Sequence, residues 1–236
     1  MSAKWVPQMR GTNEIFEEII RVDGVKYTAL TPNLKGFENA LNAKVDEVAV
    51  FAAASETFSQ KNVNCSIDES LARFRDIFEK ARQKKIPVRG YVSCVVECPY
   101  EGYVAPKRVL EVTSKLLDMG CYEVSLGDTI GKGTPKKIDE LFNVICESLN
   151  PEQLAGHFHD TSDNAIKNVE VGLKYGITTF DTAIGGLGGC PYAPGAKGNL
   201  STVQLINAIG IENFLGITDL EMLLYAEKYL FNLLKN

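Results

Sequence analysis

Residues 153–184 read QLAGHFHDTSDNAIKNVEVGLKYGITTFDTAI. An apolar-rich run at 153–159 precedes a stretch with helical spacing at 162–175, and a second β-rich run follows at 178–184. Two strands joined by one helix form a parallel pair with a helical crossover. Working outward in both directions, the same alternation recurs. Strands are expected at 25–30, 47–53, 88–95 and 122–126, and helices at 33–42, 67–84, 106–119 and 135–148. A helix at 12–21 precedes them all, and helices at about 200–209 and 218–234 close the chain. Strict alternation with no linker or composition shift predicts a single α/β domain over residues 1–236. The pattern fits a TIM (β/α)8 barrel, which needs eight strands where six are read. The expectation is therefore a barrel incomplete at its N-terminus, with the first one to two strands missing, or else an open sheet.

A chain of 236 residues, 45% apolar and 23% charged, has the makings of an ordinary soluble core. The formal net charge of −5 argues against nucleic acid or an anionic membrane as partner. No apolar run approaches the roughly 18 residues a membrane span requires. The opening Met1-Ser2-Ala3-Lys4-Trp5 is too short and polar to be a signal or transit peptide. Six cysteines are scattered through strands, helices and loops, which favours reduced thiols in a cytosol-like compartment. Cys94 and Cys98 stand C-x3-C with no second pair, a weak zinc signal.

The two histidines of the chain are His157 and His159, at the end of a predicted strand. Residues at i and i+2 of a strand share a face, so both imidazoles project together at the end where barrels keep their active sites. Two neutral imidazoles side by side are half a divalent-metal site; the bland alternative is a pair of buried histidines satisfied by hydrogen bonds. Asp128 ends another strand, in Ser125-Leu126-Gly127-Asp128-Thr129, and either serves chemistry or caps the following helix. Arg89, Tyr91 and Ser93 lie on one face of their strand. An inward arginine there must pair with a bound carboxylate or a neighbouring acid, and the pattern leaves both open.

The stretch Gly185–Asn199 holds six glycines, which permit unusual backbone angles and rearrangement. Cys190 in its middle reads as a reactive thiol on a lid over the barrel mouth, or as an incidental thiol on a surface loop. Asn199 offers a carbonyl oxygen to a metal, or caps the helix that starts near residue 200.

Together, Trp5-Val6-Pro7-Gln8-Met9, Leu30-Thr31-Pro32-Asn33-Leu34-Lys35-Gly36, Cys98-Pro99-Tyr100-Glu101-Gly102 and the Gly-Gly-Cys-Pro-Tyr-Ala segment at 188–193 resemble the hydroxymethylglutaryl-CoA lyase family. So do residues 53–57, 88–94, 125–130 and 157–161, and the likeness runs from about Lys4 to the end. The resemblance implies a Mg2+ or Mn2+ site with His157, His159 and Asn199 as ligands. It implies Cys190 and Asp128 as catalytic groups, and Arg89, Tyr91, Ser125 and Thr129 around an acyl-CoA substrate. It also implies a homodimer, in the cytoplasm of a bacterium or in the mitochondrial matrix. The runner-up is a related metal-dependent aldolase or Claisen-type synthase. The family carries an Arg-Asp-Gly segment on its first barrel strand and a glutamate on its second, and neither is in this sequence. Arg75-Asp76, the one Arg-Asp pair, lies inside a predicted helix. The 236 residues by themselves are therefore expected to form an incomplete barrel with negligible lyase activity.

Overall fold

A computed structural model describes residues 11–189, 198–216 and 219–235. Local chemistry decides where its helices begin. Helix α1 (Thr12–Glu18) and strand β1 (Thr28–Leu30) precede α2 (Leu34–Asn42), which starts where the Asn33 side chain accepts the Gly36 N–H. Strand β2 (Glu47–Ala53) leads into α3 (Glu56–Val63), capped by Ser55. Helix α4 (Ile67–Lys84) opens on a reciprocal pair in which Ser66 and Glu69 each accept the other's backbone N–H. Such caps satisfy N–H groups that a helix start leaves open and contribute about 1 kcal/mol each. Strand β3 (Val88–Ser93) follows, then the antiparallel pair β4 (Glu97–Cys98) and β5 (Gly102–Tyr103). Helix α5 (Pro106–Met119), strand β6 (Glu123–Asp128), helix α6 (Pro135–Cys146) and strand β7 (Leu154–Phe158) continue the alternation. Helix α7 (Ala165–Lys174), strand β8 (Thr179–Asp181), and helices α8 (Thr202–Ile209) and α9 (Leu220–Leu233) complete it.

The described residues pack as two compact units. In the first, residues 11–93 and 108–124, strands β1, β2 and β3 lie side by side and parallel, with Ala29 against Val48 and Val48 against Val88. Every residue of β2 except Phe51 is buried. A strand covered on both faces reads as a continuous apolar run, which is why EVAVFAA shows little alternation. Helix α4 turns Phe74, Ile77, Phe78 and Ala81 into this core, and each such side chain contributes about 1.5–3 kcal/mol through burial.

The second unit, residues 94–107 and 125–235, is ordered β6-β7-β8. Helix α6 covers it with Ile138, Leu141, Phe142 and Ile145, and the Phe158 ring stands 6.5 Å from Phe142 and 6.3 Å from Phe180.

The alternating α/β order read from the sequence is borne out, and the chain has the fold of a (β/α) barrel. Among the described residues the two units hold six main strands. Three details differ from the sequence reading. Helix α3 and the β4–β5 pair went unseen because they are short and bury few side chains. Strand β8 is three residues long, because at Ala183 the chain turns to bridge Ser201 instead. Strand β1 begins only at Thr28, where pairing with β2 begins, and Val25 is exposed.

Candidate metal and active site

His157 lies on β7 and His159 just beyond it, with ring centroids 5.5 Å apart. Past Phe158 the chain pairs with a returning segment: Leu200 donates its N–H to the Phe158 carbonyl at 3.1 Å, and Asp160 donates to the Gly198 carbonyl at 3.0 Å. The bridge between these bonds sets Asn199 opposite His159. Asn199 Nδ2 donates to the carbonyls of Leu187 at 2.8 Å and Gly188 at 3.3 Å, and two carbonyl acceptors fix which way the amide faces. Gly188 sits at φ +89°, and a Cβ there would stand 2.7 Å from Asn199 Nδ2, so only glycine allows this clamp.

Two atoms are left over. Asn199 Oδ1 and His159 Nδ1 are both buried, and neither has a hydrogen-bond partner among the described residues. An unsatisfied buried polar atom costs about 1–3 kcal/mol, a cost natural folds carry where a ligand later satisfies the group. Burial, helped by the neighbouring His157, pushes the His159 imidazole down to about 4. It is therefore neutral at neutral pH, the form that donates a lone pair.

His157 is held differently. Its Nδ1 lies 3.1 Å from Asp181 Oδ2, and the Ser125 hydroxyl donates to that same oxygen at 2.7 Å. Asp181 is the register partner of His157 across β7 and β8. The sequence reading passed over Asp181, although its place at a strand end, like that of Asp128, was a usable signal. Two imidazole nitrogens and an amide oxygen suit a hard or borderline divalent cation, so the residues fit such a metal. Among the described residues no group of three histidine, cysteine, aspartate or glutamate side chains is arranged for a metal. Asn199, set opposite His159, offers an amide oxygen as a third donor.

The other candidates divide between the units. Asp128 is fully buried, and its two oxygens accept the N–H groups of Lys132 at 3.1 Å and Gly133 at 2.7 Å. The cap of α6 is Thr134, so Asp128 braces the turn before that helix rather than its first residue. Thr129 Oγ1 accepts the Cys94 N–H at 2.8 Å. In the first unit, Arg89 Nε donates to Glu123 Oε1 at 2.6 Å, another guanidinium N–H donates to the Tyr91 hydroxyl, and the guanidinium lies 5.0 Å from the Tyr91 ring centre. Of the two partners the sequence left open for Arg89, the structure supplies the neighbouring acid. Cys190 lies outside the described residues. Upstream of it in sequence, Gly185 donates its N–H at 3.1 Å to Glu227 on α9.

The HMGL-like family matches residues 3–229. A 3-hydroxy-3-isohexenylglutaryl-CoA/hydroxy-methylglutaryl-CoA lyase of Pseudomonas aeruginosa is 53% identical over 92% of this chain and 73% of its own length. A solved HMG-CoA lyase from Brucella melitensis superposes with a TM-score of 0.96 at 46% identity, over 100% of this chain and 83% of that one. An HMG-CoA lyase from Acinetobacter baumannii, solved in complex with coenzyme A and 3-methylmalate, gives a TM-score of 0.93 at 33% identity. It covers 100% of this chain and 77% of that one.

Proposed function

Because this chain belongs to the HMGL-like family, we propose that it is a carbon–carbon lyase that cleaves 3-hydroxy-3-methylglutaryl-CoA to acetyl-CoA and acetoacetate. That family is metal-dependent, and the observation that carries the reading is a pair of buried ligand atoms with no hydrogen-bond partner among the described residues, Asn199 Oδ1 and the Nδ1 of His159, whose ring lies beside that of His157. These three residues would hold Mg2+ or Mn2+. When bound, the cation lowers the pKa of the substrate's tertiary hydroxyl.

The bond changes balance without a further reactant. The C3 hydroxyl loses its proton, its oxygen becomes the ketone of acetoacetate, and the C2–C3 bond breaks. The electron pair passes to the thioester enolate, which takes a proton at C2 and leaves as acetyl-CoA. The chain must supply a base for the first proton and an acid for the second. Cys190, in the glycine-rich sequence before Asn199, is the proposed donor to the enolate. His159, held neutral by burial, stays a lone-pair donor throughout. Ser125 and Thr129 are engaged by protein groups, Asp181 and the Cys94 N–H.

The Pseudomonas aeruginosa relative is named for both 3-hydroxy-3-isohexenylglutaryl-CoA and the methyl compound, so a longer branch at C3 is the natural variation to test. A homodimer in the bacterial cytoplasm or the mitochondrial matrix completes the proposal. No helix among the described residues is long and apolar enough to cross a membrane.

One observation favours a second reading for these residues on their own. They contain no Arg-Asp-Gly segment, which fits metal and acyl-CoA binding without turnover. An assay on the 236-residue protein with HMG-CoA and Mn2+ separates the two readings. Equal amounts of acetoacetate and acetyl-CoA, lost with a chelator and regained with metal, mark the lyase. Mn2+ and CoA binding with no acetoacetate marks the second reading, and failure to bind either removes both.

A further inference from the structure

Strands β6, β7 and β8 each contribute one polar side chain to a single chain of contacts: Ser125, His157 and Asp181. Ser125 is fully buried and gives its hydroxyl hydrogen to Asp181 Oδ2 at 2.7 Å. The same oxygen faces His157 Nδ1 at 3.1 Å, and the Cα atoms of His157 and Asp181 are register partners. The order matters. In a hydrolytic relay the imidazole lies between serine and carboxylate and activates the serine. Here the carboxylate lies between them, so Ser125 gains no base and the contacts act on His157.

We propose that Asp181, anchored by Ser125, is a positioning residue that keeps the proton of His157 on Nδ1 and turns its Nε2 lone pair toward the metal. The inference rests on the reading of His157 as a metal ligand and extends it to two residues outside the proposed ligand set. A carboxylate accepting from the far nitrogen fixes both tautomer and ring angle, and losing such a partner weakens metal binding by about 10–100-fold. Ser125 adds to this by fixing the carboxylate. The registry of β7 with β8 and the hydroxyl from β6 leave Asp181 little rotational freedom, so the ring is oriented before a metal arrives.

Only two histidines are present, so the imidazole nitrogens are resolvable by long-range 1H–15N NMR on the metal-free protein at about pH 8, with His159→Leu giving the assignment. In the wild type, His157 should show the Nδ1–H tautomer. In Asp181→Ala it should shift toward the Nε2–H tautomer, and Mn2+ affinity by calorimetry should fall about 10–100-fold. Ser125→Ala should lose less, and Asp181→Asn, whose amide oxygen still accepts from Nδ1–H, should stay within a few-fold of wild type. His157→Ala serves as the reference for a lost ligand. An Nε2–H tautomer in the wild type overturns the proposal, even if Asp181→Ala fails to fold. Wild-type Mn2+ affinity in Asp181→Ala, with binding lost in His157→Ala, overturns the positioning role and leaves the metal site standing. Unchanged binding in both overturns the metal site as well.

Discussion

Gly133 donates its backbone N–H to Asp128 Oδ2 at 2.7 Å, and a Cβ at position 133 would stand 2.7 Å from that same oxygen. The carboxylate therefore sits in a space that only glycine leaves open, sealed from water.

Burial raises the Asp128 carboxyl from 3.8 to about 6, against the pull of the Gly133 and Lys132 N–H groups. A folded-state value above the unfolded one contributes stability that is complete below about pH 4 and is lost as the pH rises through about 6. Relative to Asp128→Asn, the wild type should lose on the order of 3 kcal/mol across that window and then run parallel. Urea midpoints at intervals from pH 4 to 7 measure it. A gap between the two proteins that does not change with pH would be the contrary result.

His159 carries a buried nitrogen with no hydrogen-bond partner among the described residues, a cost that leucine, close in volume, does not have. His159→Leu should lower Mn2+ affinity at least about tenfold while leaving the metal-free protein within about 1 kcal/mol of wild type, or above it. Calorimetry and thermal unfolding in chelator test the two halves. A destabilised variant that binds Mn2+ normally would reverse the assignment.

Arg89 and Glu123 are both about nine-tenths buried, joined at 2.6 Å. Removing one partner strands the other charge, so Glu123→Ala should cost about 3–5 kcal/mol in chemical denaturation. Arg89→Met with Glu123→Met together should cost clearly less than the sum of the single changes. Strict additivity would show that the guanidinium finds its partner elsewhere, in keeping with a substrate role.

The five described cysteines are Cys65, Cys94, Cys98 and Cys121, all buried, and Cys146, half-buried. Burial holds the Cys65 and Cys146 thiols above their ordinary range and pushes Cys121 up to about 12. Cys190 should therefore be alkylated first, with substrate or metal slowing the reaction. In a preparation with lyase activity, Cys190→Ser should cut turnover about a hundredfold or more with little change in Mn2+ affinity. Near-normal turnover would reduce the loop to a cover.

The alternation of β and α elements and the shared side of His157 and His159 were legible in the sequence, because helix and strand periodicities are local properties of neighbouring residues. Long helices such as α4, with a full apolar stripe, announced themselves. Short elements that bury little, such as α3, did not. Partners across strands were beyond sequence reach for a different reason. Asp181 meets His157 from 24 residues away, a pairing that strand register decides, and Glu123 meets Arg89 from 34. Only the fold shows that Asp128 braces a turn, and that Asn199 Oδ1 and His159 Nδ1 find no hydrogen-bond partner among the described residues. Satisfaction of a buried polar atom depends on every neighbour in space, and sequence order lists only the neighbours along the chain.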